Sequence, residues 1–199
     1  MSLDTLITLG YYISSIGFLI ASIVTFKAAK STSQSGLKTV LSYLFIGTGT
    51  FFVITVFQKL VASGFYTISE ESPDIWWHIM FSMAMISFYL AFKSLAHLGS
   101  SESTSASVSN ISSKTWGIVS LVVLAVVFII PNWADQWVNV YTSSKLAEFG
   151  LHHFIAFVLA GVVGAYVFSA KIFLGQIGRA IASPMIVAIW ALALQHFWE

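Results

Sequence analysis

The chain has 199 residues, of which 57% are apolar and only 9% charged, against roughly 25% charged in an ordinary soluble domain. The formal net charge is +1 and there is no cysteine, which excludes a strong nucleic-acid footprint, a disulfide framework, a thiolate metal site and an iron–sulfur cluster. The expectation is a single integral membrane domain, all α, whose chemistry comes from His, carboxylate, Ser, Tyr or Lys side chains.

The charges fall between long apolar runs, as they must when each charge at the bilayer centre costs on the order of 3 kcal/mol. Six runs read as transmembrane helices forming a bundle: 6–26, 40–62, 75–95, 116–133, 151–174 and 181–198. The first carries no charge, and Lys27 and Lys30 follow it instead of preceding it, so it reads as a retained span and not a signal peptide. Thr8, Ser15 and Ser22 recur every seven residues, and Gly17 with Ala21 forms a small pair, a stripe suited to close helix packing or to a water-lined path. A polar loop from Lys27 to Lys38 precedes the second run, in which Thr48, Phe52, Thr55 and Lys59 share a face. Lys59 near its end either snorkels to the headgroups or points inward at an acid.

The third run opens with Ser72-Pro73-Asp74, a helix start in which Ser72 caps, Pro73 takes the first position and Asp74 suits the positive dipole end. The serine-rich stretch 99–114 is a flexible linker between two halves. The fourth run ends at Pro131-Asn132-Trp133. The fifth carries a close-packing face of Ala160, Gly161, Gly164 and Ala165, and the sixth finishes in Gln195-His196-Phe197-Trp198-Glu199. Seven basic residues (Lys27, Lys30, Lys38, Lys93, Lys114, Lys171, Arg179) fall on one side and two (Lys59, Lys145) on the other, with the acids distributed oppositely. Because cytoplasmic loops collect Lys and Arg, both termini are expected to face outward from the cell membrane.

Four of the five histidines, His78, His152, His153 and His196, fall at the outer level, and His97 falls at the inner one. A carboxylate stands within about one turn of each span's outer histidine: Asp74 before His78, Glu148 before His152 and Glu199 after His196. Imidazole with carboxylate and no sulfur is the ligand chemistry of a zinc, copper or iron site, with His78, His152, His153, His196, Asp74, Glu148 and Glu199 as candidate ligands or orienting groups. Tyr66-Thr67 stands twelve residues before His78, and Tyr141-Thr142 twelve before His153. If spans two-three and four-five are parallel repeats, His78 and His153 become symmetry mates that could ligate one haem b. His152 and His153 differ by about 100° around a helix, so only one is expected to point squarely inward.

Other readings stand beside these. Trp76, Trp77, Trp133, Trp137 and Trp198 share the outer level, so the histidines could belong to an interfacial belt. Met80, Met83 and Met85 could ligate copper or simply pack. No dinucleotide, P-loop, nucleophile-elbow or lipidation motif assigns an activity. Six spans with histidines near helix ends resemble membrane b-type cytochromes in outline, but a two-haem path needs an inner His pair where only His97 stands. The functions to weigh are a redox or accessory subunit of a membrane complex holding a metal or haem, a small cation or proton transporter or channel using the same cluster, and a structural subunit. The expected partners are the bilayer and other membrane proteins or copies of the chain.

Overall fold

A computed structural model describes residues 3–66, 68–69, 72–99, 111–170, 183, 186–191 and 193–194. These form α1 (Leu3–Ser31), α2 (Ser35–Ala62), α3 (Ser72–Gly99), α4 (Ser113–Ile129), α5 (Pro131–Thr142), α6 (Lys145–Glu148) and α7 (Leu151–Ala170). Four helices, α1 from Thr8, α2, α3 and α7, are long and apolar enough to cross a membrane. A fifth span is available only if α4 and α5, which meet at 97°, count as one broken segment. The expected fourth span, 116–133, thus divides: α4 stops at Ile129, Pro131 opens α5, and Trp133 belongs to the new helix. Proline has no N–H to donate and fits the first turn of a helix better than its interior, so the break falls where the chemistry allows it. Of the sixth expected span, 181–198, only residues 183, 186–191 and 193–194 are described, and these are helical.

α3 is the centre of the bundle, packed by α2 on one side and α7 on the other, while α1 packs on α2. The core is built from aromatic and small side chains of these helices: Phe51, Phe57, Phe81, Phe88, Ala84, Ala156, Ala160 and Val163 are all buried. Gly47 admits the Phe88 ring, which would stand 2.7 Å from any Cβ placed there. On α7, Gly164 likewise admits the Trp190 indole, whose Nε1 would lie 2.9 Å from an added Cβ, and Gly161 lies beside the same ring. The small-residue face of the fifth span therefore receives helical residues of the sixth, except that Ala165 faces outward.

Several details differ from expectation. The loop 27–38 shrinks to residues 32–34, because both flanking helices continue past the apolar runs and Gly36 closes against Leu98. On α1, Gly17 has open space around it. The contact with α2 is made instead by Phe18, stacked on Phe51 at 4.8 Å, and by the Ser22 hydroxyl, which donates to Thr48 Oγ1 at 3.1 Å. An aromatic stack holds the two helices at its own thickness, so a small pair cannot meet. Lys59 Nζ stands 5.3 Å from the centre of the Tyr12 ring, a cation–π contact at the shared end of α1 and α2. In the linker 99–114, α3 runs to Gly99 and α4 starts at Ser113, capped by the Ser112 hydroxyl, which accepts from Thr115 N at 3.1 Å; residues 100–110 are outside the described set. Trp116 Nε1 donates to Ser87 Oγ at 2.8 Å and Tyr43 Oη to the Ile111 carbonyl at 2.6 Å, so these two buried donors find partners on other segments of the chain.

Gly47 and Gly49 of α2 offer a paired test of this packing. Gly47→Val drives a branched side chain into the Phe88 ring, and overpacking of that kind costs about 1–3 kcal/mol. At Gly49 an added Cβ meets only Ser22 Oγ at 3.6 Å, so Gly49→Ala is expected to leave the thermal midpoint in detergent unchanged or raised while Gly47→Val lowers it by several degrees.

Candidate metal centre

Two helix beginnings build the site. α3 starts at Ser72 and brings Asp74 and His78 to one face four residues apart. α7 starts after Gly150, whose φ of +73° is readily adopted only by glycine and ends α6 in the usual left-handed way. The amide of Gly150 donates to the Ala147 carbonyl at 2.8 Å, and Phe154 N donates back to the Gly150 carbonyl at 3.0 Å, so the reversal is hydrogen-bonded on both sides. It delivers His152 and His153 against the first turns of α3.

The three imidazoles touch. The His78 ring centre is 4.8 Å from that of His152 and 4.5 Å from that of His153, edge to face in both cases, and the two α7 rings are 4.1 Å apart. One nitrogen of each can be chosen so that all three lie within 4.8 Å of one another. Three imidazoles on one ion at about 2.0–2.1 Å place their nitrogens roughly 3.3 Å apart, so modest side-chain rotation closes the set. The expectation that only one of the α7 pair points inward is corrected here: His152 and His153 straddle the line toward α3, and each ring reaches His78.

Hydrogen bonds assign the protons. His78 Nδ1 lies 2.8 Å from the Asp74 carbonyl, which can only accept; Nδ1 therefore carries the hydrogen and the buried Nε2 keeps its lone pair. His152 Nε2 lies 3.2 Å from Asp74 Oδ2 and its Nδ1 lies 3.0 Å from Tyr141 Oη. An ionised carboxylate accepts only, so Nε2–H donates to Asp74 and Nδ1 carries the lone pair, which accepts from the Tyr141 hydroxyl; an ion on His152 would take that lone pair in place of the Tyr141 hydrogen bond. The other Asp74 oxygen is 3.4 Å from His78 Nδ1. One carboxylate thus serves two imidazoles from two helices, the outer-shell arrangement that fixes ring orientation at metal sites. The Asp74 side chain is 54% exposed and that of His78 only 4%, so the carboxylate stays hydrated while the imidazole is enclosed. Trp77 forms the apolar wall, 5.0 Å from the His78 ring and stacked on Phe81.

The remaining candidates fall elsewhere. Glu148 is exposed at the end of α6, and the turn at Gly150 takes α7 out of register with it, so the carboxylate that meets His152 is Asp74. His196, Glu199 and Trp198 lie outside the described residues. His97 is exposed at the far end of α3, nineteen residues and about 28 Å from His78. Met80, Met83 and Met85 are buried in the core and pack. Trp76 is buried as well, whereas Trp133 and Trp137 face outward. For haem, the contact between the His78 and His153 rings leaves no slot for a macrocycle between them as they stand.

The two Tyr-Thr…His segments are built differently. Tyr66 lies in the loop after α2, where burial pushes its phenol above the ordinary tyrosine value, and its hydroxyl donates to the Phe128 carbonyl at 3.3 Å. Tyr141 lies at the end of a helix and bonds His152, eleven residues on, not His153. The role of Tyr141 beside the histidines was not among the expectations from sequence.

A second polar group supports the first. Asp135 of α5 accepts from Ser69 N at 3.2 Å, and its Oδ1 lies 2.8 Å from Ser69 Oγ; the Ser72 hydroxyl also donates to it. The hydroxyl expected to cap its own helix is used across the chain, and α5 adds a second negative charge, beside that of Asp74, at the start of α3, where it suits the helix dipole. Asp135→Ala removes these charge-assisted bonds, worth about 1.5–3 kcal/mol for one such bond. Faster amide exchange around Ser69 and the first turn of α3, with a lower thermal midpoint, is the expected result.

Comparison with known proteins finds no family model, no curated protein and no solved structure that matches the chain. The class rests on the chain itself: an all-helical protein whose long apolar helices suit a lipid bilayer.

Proposed function

We propose that this chain is an integral membrane protein that holds one transition-metal ion of the zinc, copper or iron class on His78, His152 and His153, and serves as a redox or accessory subunit of a membrane complex. The observation that carries the reading is the approach of three imidazole nitrogens, from two helices, to within 4.8 Å of one another. Asp74 orients two of the rings, and the absence of cysteine leaves nitrogen and oxygen donors, which zinc, copper(II) and iron accept. A lone ion suits rings in mutual contact better than haem b does. The excess of lysine on the opposite side puts the cluster at the outer face, with the N-terminus on the same side.

A small cation or proton transporter or channel is the second reading, favoured by the continuous chain of polar contacts from Tyr141 through His152 and Asp74 to His78. The Ser22–Thr48 pair, which could have lined its path, hydrogen-bonds internally between α1 and α2.

Elemental analysis of the purified protein distinguishes these readings from a structural role. About one ion per chain is expected in the parent, with loss in each of His78→Ala, His152→Ala and His153→Ala. Asp74→Asn is expected to weaken affinity about 10- to 100-fold. Binding should also decline as pH falls through the range in which imidazole protonates, because only the neutral ring ligates. Metal content indifferent to all three histidine substitutions would sink the metal reading.

A further inference from the structure

α5 has three faces. At about 100° per residue, Ala134, Val138 and Tyr141 fall on one side, Asp135, Asn139 and Gln136 on a second, and Trp133, Trp137 and Val140 on a third. The first side is turned to the bundle, with Ala134 and Val138 buried and Tyr141 on His152. Gln136 and Asn139 on the second are exposed. The third is exposed and apolar: Trp133 at 51%, Trp137 at 62% and Val140 at 69%. A helix in water alone exposes one polar face, and one inside a bilayer exposes one apolar face. A helix presenting both, beside a protein-facing side, matches the boundary between the two solvents.

The preceding helix puts that boundary at the right place. α4 has 17 residues, so it is about 25 Å long against about 30 Å of hydrocarbon. The chain therefore turns, by 97°, close to where the acyl region ends. The outward face of α4, with Ile118, Leu121 and Val122 exposed, leads through Ile129 and Ile130 into the apolar face of α5. The two exposed tryptophans, 6.0 Å apart and edge to face, are the side chains that favour headgroup depth.

We propose that α5 lies in the plane of the membrane, with Trp133, Trp137 and Val140 seated in the lipid headgroup and upper acyl layer and Gln136 and Asn139 in water. The side turned to the bundle then holds Tyr141 on His152, with Asp135 beside it at the start of α3, so the lipid surface sets the height of the roof over the histidines. The proposal rests on the membrane reading of α4 and is independent of whether an ion binds.

Because the chain has no cysteine, single cysteines can carry a nitroxide label in phosphatidylcholine–phosphatidylglycerol vesicles. Collision with oxygen reports lipid and collision with a water-soluble nickel chelate reports water. Labels at Trp137→Cys and Val140→Cys are expected to show an oxygen-to-nickel ratio several-fold higher than labels at Gln136→Cys and Asn139→Cys, with Leu121→Cys as the lipid reference. Should a tryptophan variant fail to fold, Val140→Cys against Gln136→Cys carries the comparison, since both side chains are exposed. Equal nickel access on the two faces would put α5 in water and overturn the proposal. Shielding of Val140 from both reagents would also overturn it, pointing to protein, such as a second copy, on that face. Nickel access at Leu121 would overturn the membrane reading itself.

Discussion

The Asp74 carboxylate facing two imidazoles is the contact on which the histidine end depends. It comes from the first turn of α3, lies 3.4 Å from His78 on the same helix and 3.2 Å from His152 on α7, and so ties the two helices at the point where their rings meet. Its exposure leaves most of its hydration in place, which spares the bundle the desolvation cost that makes buried charge expensive. His78 can then be enclosed with its Nδ1–H on the Asp74 carbonyl and its ring edge to face with the α7 pair. Both helices run in the same direction, as the pairing of His78 with His152–His153 at one end and of Tyr89 with Tyr166 farther down requires. Their dipoles consequently point positive ends at the same region, and a carboxylate there is favoured twice over.

Around that contact the rest of the end is supporting structure. Gly150 reverses the chain so that α7 begins with two histidines; α5 supplies Tyr141 to one ring and Asp135 to the start of α3. Removing α5 would leave His152 held from one side only. The tight parts of the bundle lie deeper, where Gly47 and Gly164 let Phe88 and Trp190 approach the backbones of α2 and α7. Packing there fixes the axes, and the polar network at the end only has to orient side chains already close.

Much of this was legible in the sequence because membrane segments obey a coarse rule: long apolar runs with charges at the ends. The helical class, the four long spans, and the proximity of His78 to Asp74 all follow from that rule and from helical spacing. What did not follow depends on chain reversals whose geometry is not periodic. Glu148 sits four before His152 in sequence, yet a single glycine breaks the helix between them. The mutual contact of His152 and His153 with His78 depends on how α7 is rotated against α3, which no single helix reveals. Pro131 was visible, but the 97° turn it begins, and with it the inward placement of Asp135 and Tyr141, is a tertiary fact. In sequence Trp76 reads like its neighbour Trp77, as a candidate for an interfacial belt; one helical step buries it.

The claim that three imidazoles share one ion is tested most directly by X-ray absorption at the edge of whatever metal the purified protein carries, or of cobalt added to metal-free protein. The account predicts outer-shell scattering from about three imidazole rings around first-shell nitrogen at about 2.0–2.1 Å. A spectrum of oxygen ligands alone, with no imidazole outer shell, would contradict it.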